Sequence, residues 1–203
     1  MLPEAEARQR YGNRLSVASL GALDKSNSAD GATDIRIIHD GTHGVVVNHL
    51  IKARGTIPTH LAGGIKCCLH RMVSQGIPLF GFTVDAKEAH RCVGIRPQDW
   101  PLLACQVCQG GKIYLNKQGF YGIYSAAYWW GRLAAALHRA VLHTAGSKVP
   151  LWLHLFADDW FGAVRNTNLA KDFLLFLWFL VVLRVPVSWN KVSLWLLGQL
   201  DRL

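Results

Sequence analysis

The chain has 203 residues, 51% of them hydrophobic, which excludes a disordered segment and allows one domain with a sizeable core. Lys and Arg number 22 against 13 Asp and Glu, a formal charge of +9 that suits a polyanionic partner, because basic side chains displace counterions from phosphates. Five cysteines (67, 68, 92, 105 and 108) leave one over, which argues against a disulfide framework and for a reducing compartment.

Residues 1–34 are polar and mixed, and KSNSADGATD (25–34) reads as a loop. RLSVASLGAL (14–23) has basic residues ahead of it, as a secretory leader would. Ser16, Ser19 and Gly21 dilute its apolar core and Asp24-Lys25 follow directly, so it is not one. DIRIIHDGTHGVVVNHL (34–50) alternates and predicts two short strands around Asp40-Gly41. Leu61, Ile65, Leu69 and Met72 recur at helical spacing and predict a helix over 59–76, stopped by Gly76-Ile77-Pro78. LFGFTVDAKEAH (79–90) predicts a strand running into Asp85.

IRPQDWPLLACQVC (95–108) is broken by Pro97 and Pro101 and resumes as a strand, with GGKIYLNKQG (110–119) as its hairpin partner. Cys105 and Cys108 are half of a zinc pattern, but Cys67-Cys68 has the wrong spacing to complete it; buried or half-buried thiols are the plainer reading. SAAYWWGRLAAALHRAVLHTA (125–145) predicts a helix with Ser125 as its N-cap and Gly146 beyond its end. LWLHLF and WFGAV predict two strands flanking Asp158-Asp159. A helix over 170–184 contains the most apolar run, FLLFLWFLVVL (173–183); at 11 residues it is a core helix, since a membrane span needs about 20. Pro186 and a strand-like tail follow. This order predicts an α+β fold, an antiparallel sheet backed by helices.

Paired aspartates in a turn are ordinary when isolated, because both bond their own backbone. Here Trp152, Leu153, Leu155, Phe156, Trp160 and Phe161 surround them with apolar bulk. Two carboxylates against such a wall raise each other's pKa unless a cation is present. Mg²⁺ suits such a place, because it takes one or two carboxylates plus substrate phosphates. Asp85, at the end of LFGFTV, is the natural third carboxylate. A strand-end Asp beside a hairpin Asp is an arrangement that can hold two metals about 3.5–4 Å apart for phosphoryl transfer.

FTVDAKEAH, GFYGIYSAAYWWGRL and LFADDW, in this order and at this spacing, resemble motif A, motif B and the Tyr/Phe-Ala-Asp-Asp box of the retroelement reverse transcriptases. IRIIHDGTHGVVVN (35–48) is similar to their fingers signature, VPVSWNK (185–191) to the motif D segment with its lysine, and WLLG (195–198) to the Leu-Gly turn of the primer grip. The resemblance covers about residues 24–198. It implies a polymerase right-hand palm with a fingers subdomain, and no thumb, ribonuclease H, integrase or recombinase segment after Leu203. The chain then reads as a truncated copy from a retrotransposon-type element. Residues 35–80 and 99–118 would be the fingers-like part and 81–98 with 119–203 the palm-like part, after an N-terminal extension (1–34), within one reverse transcriptase domain.

The implied activity is template-directed nucleotidyl transfer, RNA-directed DNA synthesis with two Mg²⁺ ions or Mn²⁺ in their place. Its partners would be an RNA or DNA template with primer and deoxynucleoside triphosphates. The alternative is a catalytically inactive, decayed fragment that only binds nucleic acid. Asp85 and Asp158 would hold both metals, with Asp159 as a third, less indispensable carboxylate. Lys191 would protonate the leaving pyrophosphate as a general acid. Arg36 would lie over the incoming triphosphate, with Lys25 a looser candidate, and His90, Tyr121 and Gly122 would complete the nucleotide site. Ser125, Ala126 and Trp160 would face template and primer, while Asp40 and Asn48 brace the fingers.

Three departures stand out. His90 occupies the place where these enzymes keep Tyr or Phe against a 2′-hydroxyl, Ala127 and Tyr121 replace the Pro and Phe of motif B, and Lys191 to Trp195 is short. The expected location is intracellular, cytoplasmic or nuclear, with no membrane; the oligomeric state stays open.

Overall fold

The structure, a computed structural model, describes residues 1–24, 35–56, 62–74, 76, 79–146, 151–165 and 169–196. Its contacts divide the chain into two units, residues 1–56 with 90–130 and residues 57–89 with 131–203. In chain order the first elements are α1 (Glu4–Tyr11), β1 (Val17–Ala18), β2 (Leu20–Asp24), β3 (Ile35–His39), α2 (Val47–Leu50), α3 (Ala62–Ser74) and β4 (Leu79–Asp85). There follow β5 (Ala104–Gln106), β6 (Ile113–Leu115), α4 (Tyr124–Ala145), β7 (Leu151–Phe156), β8 (Asp159–Arg165), α5 (Leu169–Val182) and β9 (Ser193–Leu196).

In the first unit β5 pairs in parallel with β1 and antiparallel with β6, and Ala7, Ala104 and Ile113 form a small core beside them. Separately, β2 pairs antiparallel with β3, with Leu20 opposite His39. The second strand expected beyond Asp40-Gly41 does not form. Asp40 Oδ1 accepts the N–H groups of Thr42 at 2.8 Å and His43 at 3.2 Å, and the Asn48 N–H donates to the Gly41 carbonyl at 2.9 Å. This side-chain turn takes the donors a ladder would need, and the chain goes into α2. Helix α4 also begins one residue earlier than expected, so Ser125 lies inside its first turn and does not cap it. The cap comes from another segment: Asn48 Oδ1 accepts the Tyr124 N–H at 2.9 Å.

The second unit holds a four-stranded antiparallel sheet in the order β7-β8-β4-β9. Strands β7 and β8 form the expected hairpin, turning at Ala157-Asp158 with Phe156 opposite Asp159. Alternation along β4 and β8 turns Phe82, Val84, Trp160 and Val164 to one face. Helix α5 covers that face, with Phe82 ring centroids 4.9 Å from Phe173 and 5.3 Å from Phe176. Phe82, Val84, Trp160, Val164, Phe176 and Leu180 are fully buried, each contributing roughly 1.5–3 kcal/mol through water exclusion. Among the described residues no helix is long and apolar enough to cross a membrane.

Gly162 pairs with Phe82 across β8 and β4, and the Phe82 ring lies over it so closely that a Cβ there would overlap the ring. Gly162→Ala should therefore destabilise the protein by about 2–3 kcal/mol through overpacking. Phe82→Leu should cost about 1–3 kcal/mol by itself, as a partial deletion of a buried ring. In chemical denaturation the double variant should recover stability relative to Gly162→Ala; additive losses would show that the ring does not set this contact.

Candidate active site

Asp85 ends β4 directly opposite Asp159, on the sheet face turned away from Phe82, Trp160 and α5. The two carboxylates therefore meet because strand periodicity and register require it. Asp158 sits at the hairpin tip, where its carbonyl accepts the Ala86 N–H at 2.9 Å and carries the β4–β8 ladder one step further. Ala157, the first tip residue, is held at φ +52°, a left-handed conformation costly for a residue with a side chain.

The segment after α5 brings two more groups to Asp85. Val187 bridges to Ala86, and the Lys87 N–H donates to the Pro186 carbonyl at 2.9 Å. Ser188 donates its N–H to the Asp85 carbonyl at 2.9 Å and its hydroxyl to Asp85 Oδ1. A single 3₁₀ turn, Trp189–Lys191, then places Lys191 Nζ 2.9 Å from Asp85 Oδ2. Asp85 is thus held on both oxygens.

Electrostatics separate the two facing acids. Burial pushes the Asp85 carboxyl up, but hydrogen bonds from Ser188 and Lys191 and the nearby ammonium outweigh it and hold the group below the ordinary carboxylate value. Asp159 goes the other way. Desolvation of its inner side, then repulsion from Asp158 and Asp85, raises it above 3.8 despite Lys191 and an exposed outer surface. A hydrogen bond between the two carboxyl groups acts in opposite senses on them, lowering Asp85 and raising Asp159. The Lys191 ammonium is raised chiefly by its bond to Asp85.

Among the described residues no three His, Cys, Asp or Glu side chains form a ready metal cage. The oxygen donors nevertheless fit a hard divalent cation, which takes one or two carboxylates and completes its shell elsewhere. Burial is the largest cause of the upward shift of Asp159, and repulsion from Asp158 and Asp85, only partly offset by Lys191, adds to it. Cys105, by contrast, is buried with Asn116 Nδ2 at 4.0 Å from its sulfur, and burial pushes its thiol up.

The first unit gathers Asp40, Asn48, His90, Tyr121 and Gly122 around an open groove of about 580 Å³. The His90 and Tyr121 rings are 4.4 Å apart, and Tyr121 is 40% exposed. Gly122, at φ +101°, passes so close to the His39 carbonyl that any Cβ would collide with it. Asn48 ties the groove wall together, donating from Nδ2 to the Gly122 carbonyl at 2.8 Å and to Thr42 Oγ1 at 2.9 Å. His39 stacks on Phe120 at 4.2 Å, and burial lowers its pKa to about 4, so it is a neutral core group.

The other expected residues fall as follows. Arg36 lies in β3 opposite Leu23, and Lys25 is outside the described residues. Ser125 is partly exposed in the first turn of α4. Ala126 is fully buried with Leu103, Phe120 and Ile123, and Trp160 is fully buried against Phe176, so neither presents a surface to template or primer. Sequence reasoning missed Ser188; its only signal was a serine three residues before Lys191.

No protein-family model matches the chain, and no curated protein matches it significantly. Among solved structures it is similar to the foamy viral protease–reverse transcriptase in complex with double-stranded DNA, with a TM-score of 0.62 and 14% identity, covering 88% of this chain and 27% of that one. The native prototype foamy virus protease–reverse transcriptase gives 0.62 and 18%, covering 91% and 21%. The complex of the foamy viral protein with an RNA/DNA hybrid gives 0.59 and 14%, covering 89% and 21%. The likeness shows a reverse transcriptase-like mixed fold, over a chain that spans 21–27% of the length of these proteins.

Two outcomes test this geometry. Asn48→Ala should cost about 1–2 kcal/mol, as loss of a helix cap does, whereas Ser125→Ala should cost under about 0.5 kcal/mol; equal losses in thermal melts would return the cap to Ser125. Asp159, raised in the folded state, costs stability once pH rises above 3.8, the ordinary value. Asp159→Asn should then raise the melting temperature at pH 7.5 by about 1–2 °C after solvent screening, the gain fading towards pH 4. A gain that grows on acidification would contradict the assigned direction.

Proposed function

We propose that the chain is a reverse transcriptase domain carrying a two-metal centre for template-directed nucleotidyl transfer. The observation that supports it most is the in-register meeting of Asp85 and Asp159 beside the Asp158 hairpin tip, on a sheet of reverse transcriptase-like fold. In this reading the four-stranded sheet is the palm and β2–β3 belongs to the fingers. Asp85, Asp158 and Asp159 would hold two Mg²⁺ ions. Bound there, the ions would lower the pKa of a primer 3′-hydroxyl and stabilise charge on the transferring phosphoryl group.

The protein's own side chains then have distinct tasks. Ser188 fixes the rotamer of Asp85, so that one oxygen is committed and the other is aimed outward. Lys191 offers a proton to the leaving pyrophosphate. His90, Tyr121 and Gly122 line a groove of the first unit that would take the nucleotide, and Gly122 shapes its wall because the His39 carbonyl fills the space a side chain would need. The partners are a primed RNA or DNA template and deoxynucleoside triphosphates, drawn by the +9 charge.

The test is primer extension on an RNA template with Mg²⁺ or Mn²⁺. The wild-type chain should extend the primer, and Asp85→Asn and Asp158→Asn should each lower the rate about 10³-fold, the loss expected when a metal contributing several kcal/mol is removed. Salt-dependent binding to primer–template without any incorporation would overturn the enzymatic reading and select a decayed, nucleic-acid-binding domain.

A further inference from the structure

Asp85 divides its two oxygens between partners of very different mobility. Oδ1 accepts the hydroxyl of Ser188, a residue 8% exposed whose N–H is also bonded to the Asp85 carbonyl. This side is locked by two bonds from one buried residue. Oδ2 accepts from Lys191, whose side chain is 61% exposed and is carried on a single turn. Lys191 thus lies against the carboxylate that faces Asp159 across the two strands.

A divalent ion and an ammonium cannot both occupy the outward side of Asp85 Oδ2, because like charges at contact distance repel strongly. The ammonium is the weaker competitor, since an exposed lysine pair is held loosely and screened by solvent. We propose that Lys191 is the resident counter-cation of the carboxylate cluster, displaced by the divalent ion on loading. Metal binding and release of the lysine are then one event.

This inference rests on the nucleotidyl-transfer reading of the same site, and it adds an order of events. Without metal, Lys191 neutralises Asp85 and is withheld from any phosphate. With metal, the amine turns outward and can meet the triphosphate that arrives with the next ion. Lys191 is thus a positioning and gating residue before it is a proton donor.

Mn²⁺ binding to the full chain, followed by electron paramagnetic resonance without nucleotide or nucleic acid, separates the claims. Asp85→Asn should weaken binding, and Lys191→Met or Lys191→Gln should tighten it about ten-fold, within the usual range of coupling between two ligands. Lys87→Met, which removes an exposed charge near Asp85 in sequence, should stay within about two-fold. In parallel, labelling of Lys191 by an amine-reactive ester, read by mass spectrometry, should rise several-fold on Mn²⁺ saturation. If Asp85→Asn does not change Mn²⁺ binding, the metal-centre reading fails and this inference with it. If Asp85→Asn weakens binding but Lys191→Met leaves it unchanged, or matches Lys87→Met, only the displacement is overturned. Flat labelling on saturation overturns it as well.

Discussion

The register between β4 and β8 is the constraint on which the candidate centre depends. A slip of one residue would turn Asp159 towards α5 and bring Trp160 out into solvent, since successive side chains alternate between faces. The seven paired positions from Leu79–Arg165 to Asp85–Asp159 prevent that, and the Phe82 ring seated over Gly162 fixes the phase. Like charges directly opposite one another destabilise a sheet. The buried face behind them offsets this, with Phe82, Trp160, Phe176 and Leu180 all removed from water. The charge cluster is tolerated because it stands on a face whose other side is well packed.

The same logic of distant support recurs in the first unit. Asn48 uses one amide to hold Thr42, the Gly122 carbonyl and the first N–H of α4, so two loops and a helix end share a single anchor. In the second unit Ser188 does this for Asp85, bonding its backbone and its side chain together. Each anchor leaves a neighbour exposed, Tyr121 in one unit and Lys191 in the other. Rigid polar anchors beneath exposed, chemically competent side chains are what a site needs if its supports are to hold position while its outer groups move.

Much of this was legible in the chain itself. The strand ending at Asp85, the hairpin around Asp158-Asp159 and the helices expected over 59–76, 125–145 and 170–184, which form at Ala62–Ser74, Tyr124–Ala145 and Leu169–Val182, follow from apolar periodicity, which is local and strong. The failures have a common physical origin. The VVV run at 45–47 looked like a strand because β-branched residues favour one, but the Asp40 side chain had already taken the local donors. Ser125 looked like a cap because its neighbours are helical, while the group that caps lies 76 residues away. Trp160 beside the aspartates looked available to a primer, yet alternation sends it to the opposite face. Position relative to a sheet face and contacts across long stretches of chain are what a linear reading cannot supply.

The wide sequence separation within the cluster bears on how the molecule folds. Ser188 and Lys191 lie 103 and 106 residues from Asp85, so they arrive only after a very long loop has closed. Until then the last rung of β4 against β8 sets Asp85 and Asp159 face to face with no ammonium between them. Zippering of the two strands therefore works against mounting repulsion at its final step, and docking of residues 185–191 removes that resistance. Assembly of the sheet end and neutralisation of its charge become a single late event in folding, and a nascent chain lacking the segment after α5 holds its central strands together least firmly at the place where the chemistry is proposed to occur.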